Sequence, residues 1–495
     1  MKLLQIYTTD WLNSKPVFYN TKTNEVSLVM HDVVDWNNFE FDPEGLFNYL
    51  QIGYQIFGQT PIKDVKFLRH SSKISKHLDE AGKIHLSVEE FDDPVDNYTR
   101  REYSVEEAID ILKNDVHAFE AESKISQPNK RFLLPLSGGY DSRLLATFIE
   151  EKSRIDAFTY DISISEKYSF EVARAREVSR RLGIPWHQLG LTKYWNRYYQ
   201  QKNFSAFCLE MPFHASYHME MYDEIIKQFG HEYIALSGSV GDWWSGEKVP
   251  LKIPEDHLNF DSLFFNHGIS IPKEFIKIKT DHEVKRGVYE DNIKRLSEDD
   301  IFKIVFARRG RIGLASYIYR TANLYFDVYT PFYSIDVAMS QLNLPKHQRK
   351  DRVWLRNFFN TKKLGIEDDL QKRLVVSNDY GIDLKIAFYT LSDSDLLDNK
   401  YFQGIIDDRR IEWINKELKK IKRIPFPLLG STSRLFFGID DYTNLAFNHS
   451  ILGRGFDFIY KRLYGTRDIF KAISEWTVLL PIQIAMMKRD EGKTQ

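Results

Sequence analysis

The 495-residue chain holds a single cysteine, Cys208. One thiol excludes an intrachain disulfide framework, a C-x-x-C redox pair and a cysteine-rich zinc site. An excess of charge of either sign is also missing: 68 Lys and Arg stand against 70 Asp and Glu, a formal net charge of −2. That balance leaves no global basic footprint for nucleic acid or an anionic membrane. The opening Met1-Lys2-Leu3-Leu4-Gln5-Ile6 has no apolar run of signal-peptide length. The longest apolar stretch near the C-terminus, Trp476 to Met487, is interrupted by Pro481 and Gln483. It falls short of the ~20 residues of a membrane span and reads as a core helix. No internal repeat and no low-complexity segment stands out. A cytoplasmic protein with no membrane span and no nucleic-acid partner is expected.

What is present is material for a large core. Hydrophobic residues make up 43% of the chain and aromatic residues 14%, so disorder is not expected and well-filled cores are. Residues 1–100 read as β-rich with small helices. Val17-Phe18-Tyr19 and Val26-Ser27-Leu28-Val29 flank a turn-rich segment, as in a hairpin. A short helix is expected after Asp42-Pro43, with Leu46, Tyr49, Leu50 and Tyr54 on one face. Ser104 and Glu107 form a capping box, and Val105, Ala108, Leu112, Val116 and Phe119 follow at helical spacing. From there strands and helices alternate: strand 132–136, helix 144–151, strand 155–160, helix 170–182 stopped by Gly183, strand 186–191 and strand 233–236. That alternation predicts an α/β fold, a doubly wound parallel sheet covered on both faces. Beyond about residue 300 the pattern is mainly helical. Ile411, Ile414, Leu418 and Ile421 make one stripe, and the adjoining Lys416, Lys419, Lys420, Lys422 and Arg423 read as a solvated face.

The sharpest feature is Leu136-Ser137-Gly138-Gly139-Tyr140-Asp141-Ser142, between a buried strand and an amphipathic helix. Open α/β sheets bind ligands at that place. The two glycines allow a tight turn and close approach to an anion, and the amides of the following helix point at the same spot. The Ser137 and Ser142 hydroxyls add donors. Asp141 would repel a bare phosphate, so it reads as a ligand for Mg²⁺ carried on one. The Gly-Lys-Ser/Thr ending of a kinase-type phosphate loop is absent. A second glycine-containing segment, Ser237-Gly238-Ser239-Val240-Gly241-Asp242, follows the strand at 233–236.

Ser137 to Ser142 resembles the S-G-G-x-D-S pyrophosphate loop of the ATP-pyrophosphatase, or PP-loop, superfamily. Ser237 to Gly246 looks like the S-G-E-G-A-D-E motif of the asparagine synthetase-related family within it, and Asp327 to Asp336 looks like that family's E-x-R-x-P-F-L-D signature. Arg308, Arg309 and Arg311 resemble the arginine-bearing stretch before that signature, and Lys350 to Arg356 the K-x-x-L-R run after it. Phe41 to Leu68 looks like the end of a glutaminase domain. The resemblance implies a PP-loop (HUP-like) synthetase domain over residues 101–495 with a helical C-terminal part. A truncated, glutaminase-like β-rich domain would precede it over residues 1–100. It further implies ATP and Mg²⁺ as cofactors. Leu136, Ser137, Gly138, Gly139, Tyr140, Asp141, Ser142, Ser237 and Gly238 would hold ATP, with Asp141 and Asp242 on the metal.

The departures fall on one side of this pattern. Glutamine-hydrolysing relatives begin with a cysteine nucleophile, whereas Lys2 follows Met1 here and Cys208 lies far inside the chain, as a buried structural residue would. No glutaminase activity is expected. Ser239 stands for a family glutamate, Asp327 for another, and Tyr329 for the family's arginine. The family's late lysine has no clean counterpart, and Lys372 and Arg373 are the nearest cations. The resemblance implies that a carboxylate attacks the α-phosphate of ATP, and that ammonia or an amine then takes the acyl group, leaving AMP. Asp327 is the candidate base. Arg308, Arg311, Lys350 and Lys372 are candidates for the cation at the α-phosphate. His187, at the end of a strand, reads as structural. The carboxylate would be a small molecule, a peptide or a sugar acid, and a separate glutaminase is one source of ammonia. An intramolecular cyclase of the lasso-peptide or β-lactam kind, and a non-catalytic nucleotide-binding subunit, are the alternatives.

Overall fold

The structure, a computed structural model, describes residues 2–98, 100–161, 170–213, 216–246, 253, 255–257, 263, 270–309, 313–366, 391–421 and 466–494. Residues 2–90 build two small antiparallel sheets. In one, β1 (Lys2–Thr8) pairs with β5 (Ser72–Leu78), which pairs with β6 (Ile84–Glu90). The predicted hairpin forms the other, as β2 (Phe18–Asn20) and β3 (Val26–Ser27), with β4 (Val65–Phe67) on the far side of β2. Its turn closes on Asn20, whose side-chain oxygen accepts the amides of Lys22 and Thr23 at 2.9 and 3.0 Å. The helix Pro43–Ile52 begins where the Asp42 carboxylate accepts the Gly45 amide at 2.7 Å, and Tyr54 lies just past its end.

The second architecture is a parallel sheet of five strands. β7 (Arg131–Pro135), β8 (Ile155–Asp161), β9 (Trp186–Gly190), β10 (Tyr233–Leu236) and β11 (Asp327–Tyr329) lie in the order β11-β10-β7-β8-β9. The chain therefore starts in the middle, winds out through β8 to β9, and returns to the other side of β7 for β10 and β11. The reversal falls between β7 and β10, and the crevice outside their carboxyl ends is where such sheets bind ligands.

Each strand alternates its side chains between two cores. Phe132, Leu134, Ile155, Ala157, Ile234 and Leu236 face one core, with Leu112 and Val116 of the helix Val105–Ser126 and Leu144 of the helix Tyr140–Phe148. Leu133, Phe158, Leu189, Tyr233 and Ala235 face the other, with Tyr49 and Leu50 from the first hundred residues and Ile411, Ile414 and Trp476 from the C-terminal helices. The Ser104–Glu107 capping box forms, with bonds of 3.1 and 2.8 Å. The helix expected at 144–151 runs instead from Tyr140 to Phe148. The Glu120 carboxylate takes the Glu150 and Glu151 amides at 2.8 and 2.9 Å, and the Lys152 ammonium caps the Ala146 carbonyl at 2.6 Å. Those bonds use the groups that further helical turns would need. Lys422 and Arg423 of the predicted basic face lie outside the described residues.

The C-terminal apolar stretch lies in a 29-residue helix, Thr466–Thr494, that runs through Pro481. Proline cannot donate to the carbonyl four residues back. That carbonyl, on Thr477, accepts the Phe213 amide at 2.8 Å instead. By length and composition the stretch Asp468–Gly492 could cross a membrane, but 78% of its window is buried inside the fold. Trp476 stacks on Trp195 with ring centres 5.3 Å apart, and its indole N–H donates to the Asp395 carbonyl at 2.8 Å. Glu475, 1% exposed, holds Arg410 of the helix Asp408–Lys420 through two charged bonds. Cys208 is fully buried, which pushes its thiol far above the ordinary range.

Removing one partner of a buried ion pair strands the other charge. Glu475→Ala should therefore cost about 3–5 kcal/mol, while the double change Arg410→Met with Glu475→Leu should recover most of it. Denaturant unfolding followed by tryptophan fluorescence measures both.

Candidate active site

The first loop leaves β7 at Leu136, which is tied to β8 on both sides. Its amide donates to the Phe158 carbonyl at 2.8 Å, and its carbonyl accepts the Thr159 hydroxyl at 2.6 Å. Ser137 is exposed, and its Oγ accepts the Gly139 amide at 3.2 Å. Gly138 has φ +71°, and a Cβ there would stand 2.4 Å from Arg174 Cβ, so no side chain fits. The fully buried Arg143 reaches back from the following helix to the Gly138 carbonyl at 2.5 Å and across to the Leu364 carbonyl at 3.0 Å. Ser142 Oγ is buried and has no hydrogen-bond partner among the described residues. A buried hydroxyl in that state calls for an acceptor. It sits in the first turn of the helix, where free amides also gather.

The second loop leaves β10 and lies directly against the first. A Cβ on Gly238 would stand 3.1 Å from Asp141 Cβ, and one on Gly241 only 2.7 Å from Asp141 Oδ1. The two glycines thus let the Asp141 carboxylate rest on the backbone that carries Asp242. Between them Val240 takes φ +65°, an unusual backbone for a β-branched residue. Asp242 is partly buried, and its charge is felt by Arg308. Arg308 is 5% exposed, stacks 4.3 Å from the Trp243 ring centre, and its Nε has no hydrogen-bond partner among the described residues. Burial pulls its guanidinium below the ordinary arginine range, and the Asp242 charge opposes that shift.

The expected metal fits these residues. Mg²⁺ is held by one or two carboxylates together with substrate phosphates and water, not by a protein cage. Asp141 and Asp242 supply two carboxylates on touching loops. Among the described residues no group of three or more His, Cys, Asp or Glu gathers to form a cage. The backbone cradle of Gly138 and the buried Ser142 hydroxyl suit an anion beside them.

Other predicted site residues lie elsewhere. Asp327, expected as the base, opens β11 in register with Ile234, which is in register with Phe132. It is thus four residues before the start of the first loop, roughly 13 Å back along the strands at ~3.3 Å per residue. It is exposed there and paired with Lys130 at 2.8 Å, which holds its carboxyl below the usual range. The reason is register: the short strand puts its first residue at the amino end of the sheet and only Tyr329 and Thr330 at the ligand end. Tyr329 does not take the place of an arginine in the crevice. Its ring stacks on Phe119 at 3.7 Å and its hydroxyl donates to Asp115 at 2.5 Å. Lys350 is exposed, and the cations that reach the first loop are others: Arg143 at the Gly138 carbonyl, Arg174 against Gly138, and Arg352, 4.8 Å from the centre of the Tyr140 ring. His187 stacks on Phe158 at 5.0 Å with Nε2 3.6 Å from Asp156, as a structural histidine does. Arg311, Lys372 and Arg373 lie outside the described residues.

Sequence reasoning missed Trp11. Its ring packs 5.8 Å from Trp244, its indole N–H donates to the Tyr333 carbonyl at 2.8 Å, and its carbonyl accepts Arg309 Nε at 2.5 Å. Arg309 is further paired with Asp93 at 2.8 Å. The first hundred residues therefore brace the second loop and the segment that carries Arg308. Nothing in the local pattern around Trp11 marks that long-range contact.

No family model matches the chain, and no curated protein matches it. Among solved structures, one match is an ammonia-dependent NAD synthetase from Campylobacter jejuni in complex with nitrate. Identity is 14%, over 43% of this chain and 95% of that chain, with a TM-score of 0.24. A likeness of that extent carries no argument about activity.

Two substitutions separate these placements. Gly241→Ala should push the Asp141 carboxylate off the second loop and lower Mg²⁺-dependent nucleotide binding tenfold or more, with a melting temperature close to wild type, read by titration calorimetry and thermal unfolding. Asp327→Asn should leave any nucleotide-dependent activity within twofold.

Proposed function

We propose that this chain is an ATP-dependent, AMP-forming carbon–nitrogen ligase that activates a substrate carboxylate and passes it to ammonia or an amine. The observation that carries this reading is the contact of the Asp141 carboxylate with Gly241 at the reversal point of the sheet, which puts two carboxylates and a backbone anion cradle in one crevice. ATP with its Mg²⁺ would supply an electrophilic α-phosphorus and a pyrophosphate leaving group. Gly138, Gly139 and the amides of the helix beginning at Tyr140 would receive the phosphates, with the Ser137 and Ser142 hydroxyls as further donors. Asp141 and Asp242 would hold the metal. The buried Arg308 guanidinium, near enough to feel the Asp242 charge, would offset part of it. Most of the barrier would be lowered by positioning and charge neutralisation, because the first step asks the protein for no covalent bond.

Nitrogen would arrive as free ammonia, from a separate glutaminase, or as an amine of the substrate itself. The acceptor side supports a substrate other than aspartate. Tyr329 stands at the arginine position of the resembling family and is packed against the helix Val105–Ser126, and Ser239, at a glutamate position, hydrogen-bonds to Tyr333. A peptide, small-molecule or sugar acid is the substrate class proposed, within the asparagine synthetase-related family of the PP-loop superfamily.

Exchange of labelled pyrophosphate into ATP, driven by an added acid from a panel of amino, peptide and uronic acids, tests the reaction. Exchange with at least one acid, lost at least a hundredfold in Asp141→Asn, is expected. A panel without exchange, together with unchanged ATP binding in Asp141→Asn, would leave only a non-catalytic nucleotide-binding subunit.

A further inference from the structure

Three observations meet in one turn, residues 349–354. Its start lies under the second loop: a Cβ on Gly246 would stand 2.2 Å from the Arg349 carbonyl oxygen. Its end holds the same loop, since the Trp354 indole N–H donates to the Ser245 carbonyl at 3.0 Å. Between these anchors the backbone turns left-handed at two consecutive non-glycine residues, Asp351 (φ +54°) and Arg352 (φ +53°). Such a conformation persists only where the surroundings impose it, and it gathers at functional sites. Its result is to bring the Arg352 guanidinium to 4.8 Å from the centre of the Tyr140 ring, on the first loop. Tyr140 is itself held by Phe359, parallel at 5.6 Å, so the ring is a fixed platform.

The turn thus spans both loops and sets the Arg352 guanidinium beside the residue that precedes Asp141. Arg352 is only partly buried, unlike Arg308 and Arg143. Arg143 donates to two backbone carbonyls, Arg308 is almost wholly buried, and Arg174 meets Gly138 through its Cβ and backbone. We propose that Arg352 is the residue that meets the phosphate chain of the nucleotide, a role in which a planar, always-charged fork outperforms an ammonium. This rests on the reading of the crevice as an ATP site. Lys350, two residues earlier, is exposed and takes no part.

Calorimetric titration of the full chain with Mg·ATP, Mg·pyrophosphate and AMP, at two salt concentrations, tests it with Arg352→Met, Arg352→Lys and Lys350→Met. Arg352→Met should bind ATP and pyrophosphate tenfold to a hundredfold more weakly, bind AMP within threefold of wild type, and show a shallower salt dependence. Arg352→Lys should recover at least half of the loss on a logarithmic scale, and Lys350→Met should match wild type. Arg352→Met binding ATP as wild type does overturns the assignment. So does an Arg352→Lys protein as weak as Arg352→Met with an unchanged salt slope, which would make packing on Tyr140 the whole role. A wild-type chain that binds no Mg·ATP brings down the ATP-site reading itself, a result distinct from either.

Discussion

The candidate site depends on one contact, the seating of Asp141 against the backbone at Gly238 and Gly241, with its carboxylate on Gly241. Two loops that each carry a carboxylate would ordinarily be kept apart by side chains and by like charge. Here the absence of a Cβ at both glycines removes the steric barrier. Arg308, close to Asp242, offsets part of the charge. The sheet order makes the contact possible. β7 and β10 are neighbours whose connections leave in opposite directions, so the loops after them border the same crevice. A sheet in simple sequential order would place those loops at strands that do not touch.

Among the described residues, bonds from several elements hold the contact in place. Leu136 is bonded to β8 on both sides, and the Ser237 amide is bonded to the Tyr329 carbonyl at 2.9 Å. Trp244 donates to the Phe332 carbonyl at 2.8 Å, and Trp11 packs on it from the first hundred residues. These are long-range bonds from fully or nearly fully buried indoles, which combine a large apolar area with one donor that must be satisfied. The first hundred residues carry no cysteine, so no thiol chemistry is available to them. Their apolar residues contribute to both cores beside the sheet. In this chain they act on the site as a brace.

Much of this was legible in the sequence where the signal is local. The capping box at Ser104, the glycine stop after Leu182 and the short buried strand β7 all depend on residues within a few positions of one another, and each formed where expected. The loop glycines were legible for the same reason: only a tight approach explains them. The boundaries that shifted were set from a distance. The helix after the first loop stops at Phe148 because Glu120 takes the amides beyond it. The C-terminal helix survives Pro481 because Phe213, far away in sequence, takes the carbonyl that proline leaves free.

The expected site residues that lie away from the crevice do so for a sharper reason, which concerns register. A motif read as a string assigns roles by order, but a strand presents its residues at one edge or the other according to pairing. Asp327 and Tyr329 are two positions apart and lie at opposite ends of β11, so a shift of pairing by two residues would exchange the exposed ion pair with Lys130 for a place at the ligand end of the sheet. The same holds in the turn at residues 349–354. Lys350 and Arg352 are both basic and two residues apart, and no periodicity distinguishes them. The left-handed backbone at Asp351 and Arg352 does, because it carries one side chain toward Tyr140 and leaves the other in solvent. The crevice is formed by loops whose glycines announce themselves. The remaining polar groups depend on pairing and on strained turns, and these become visible only in the folded chain.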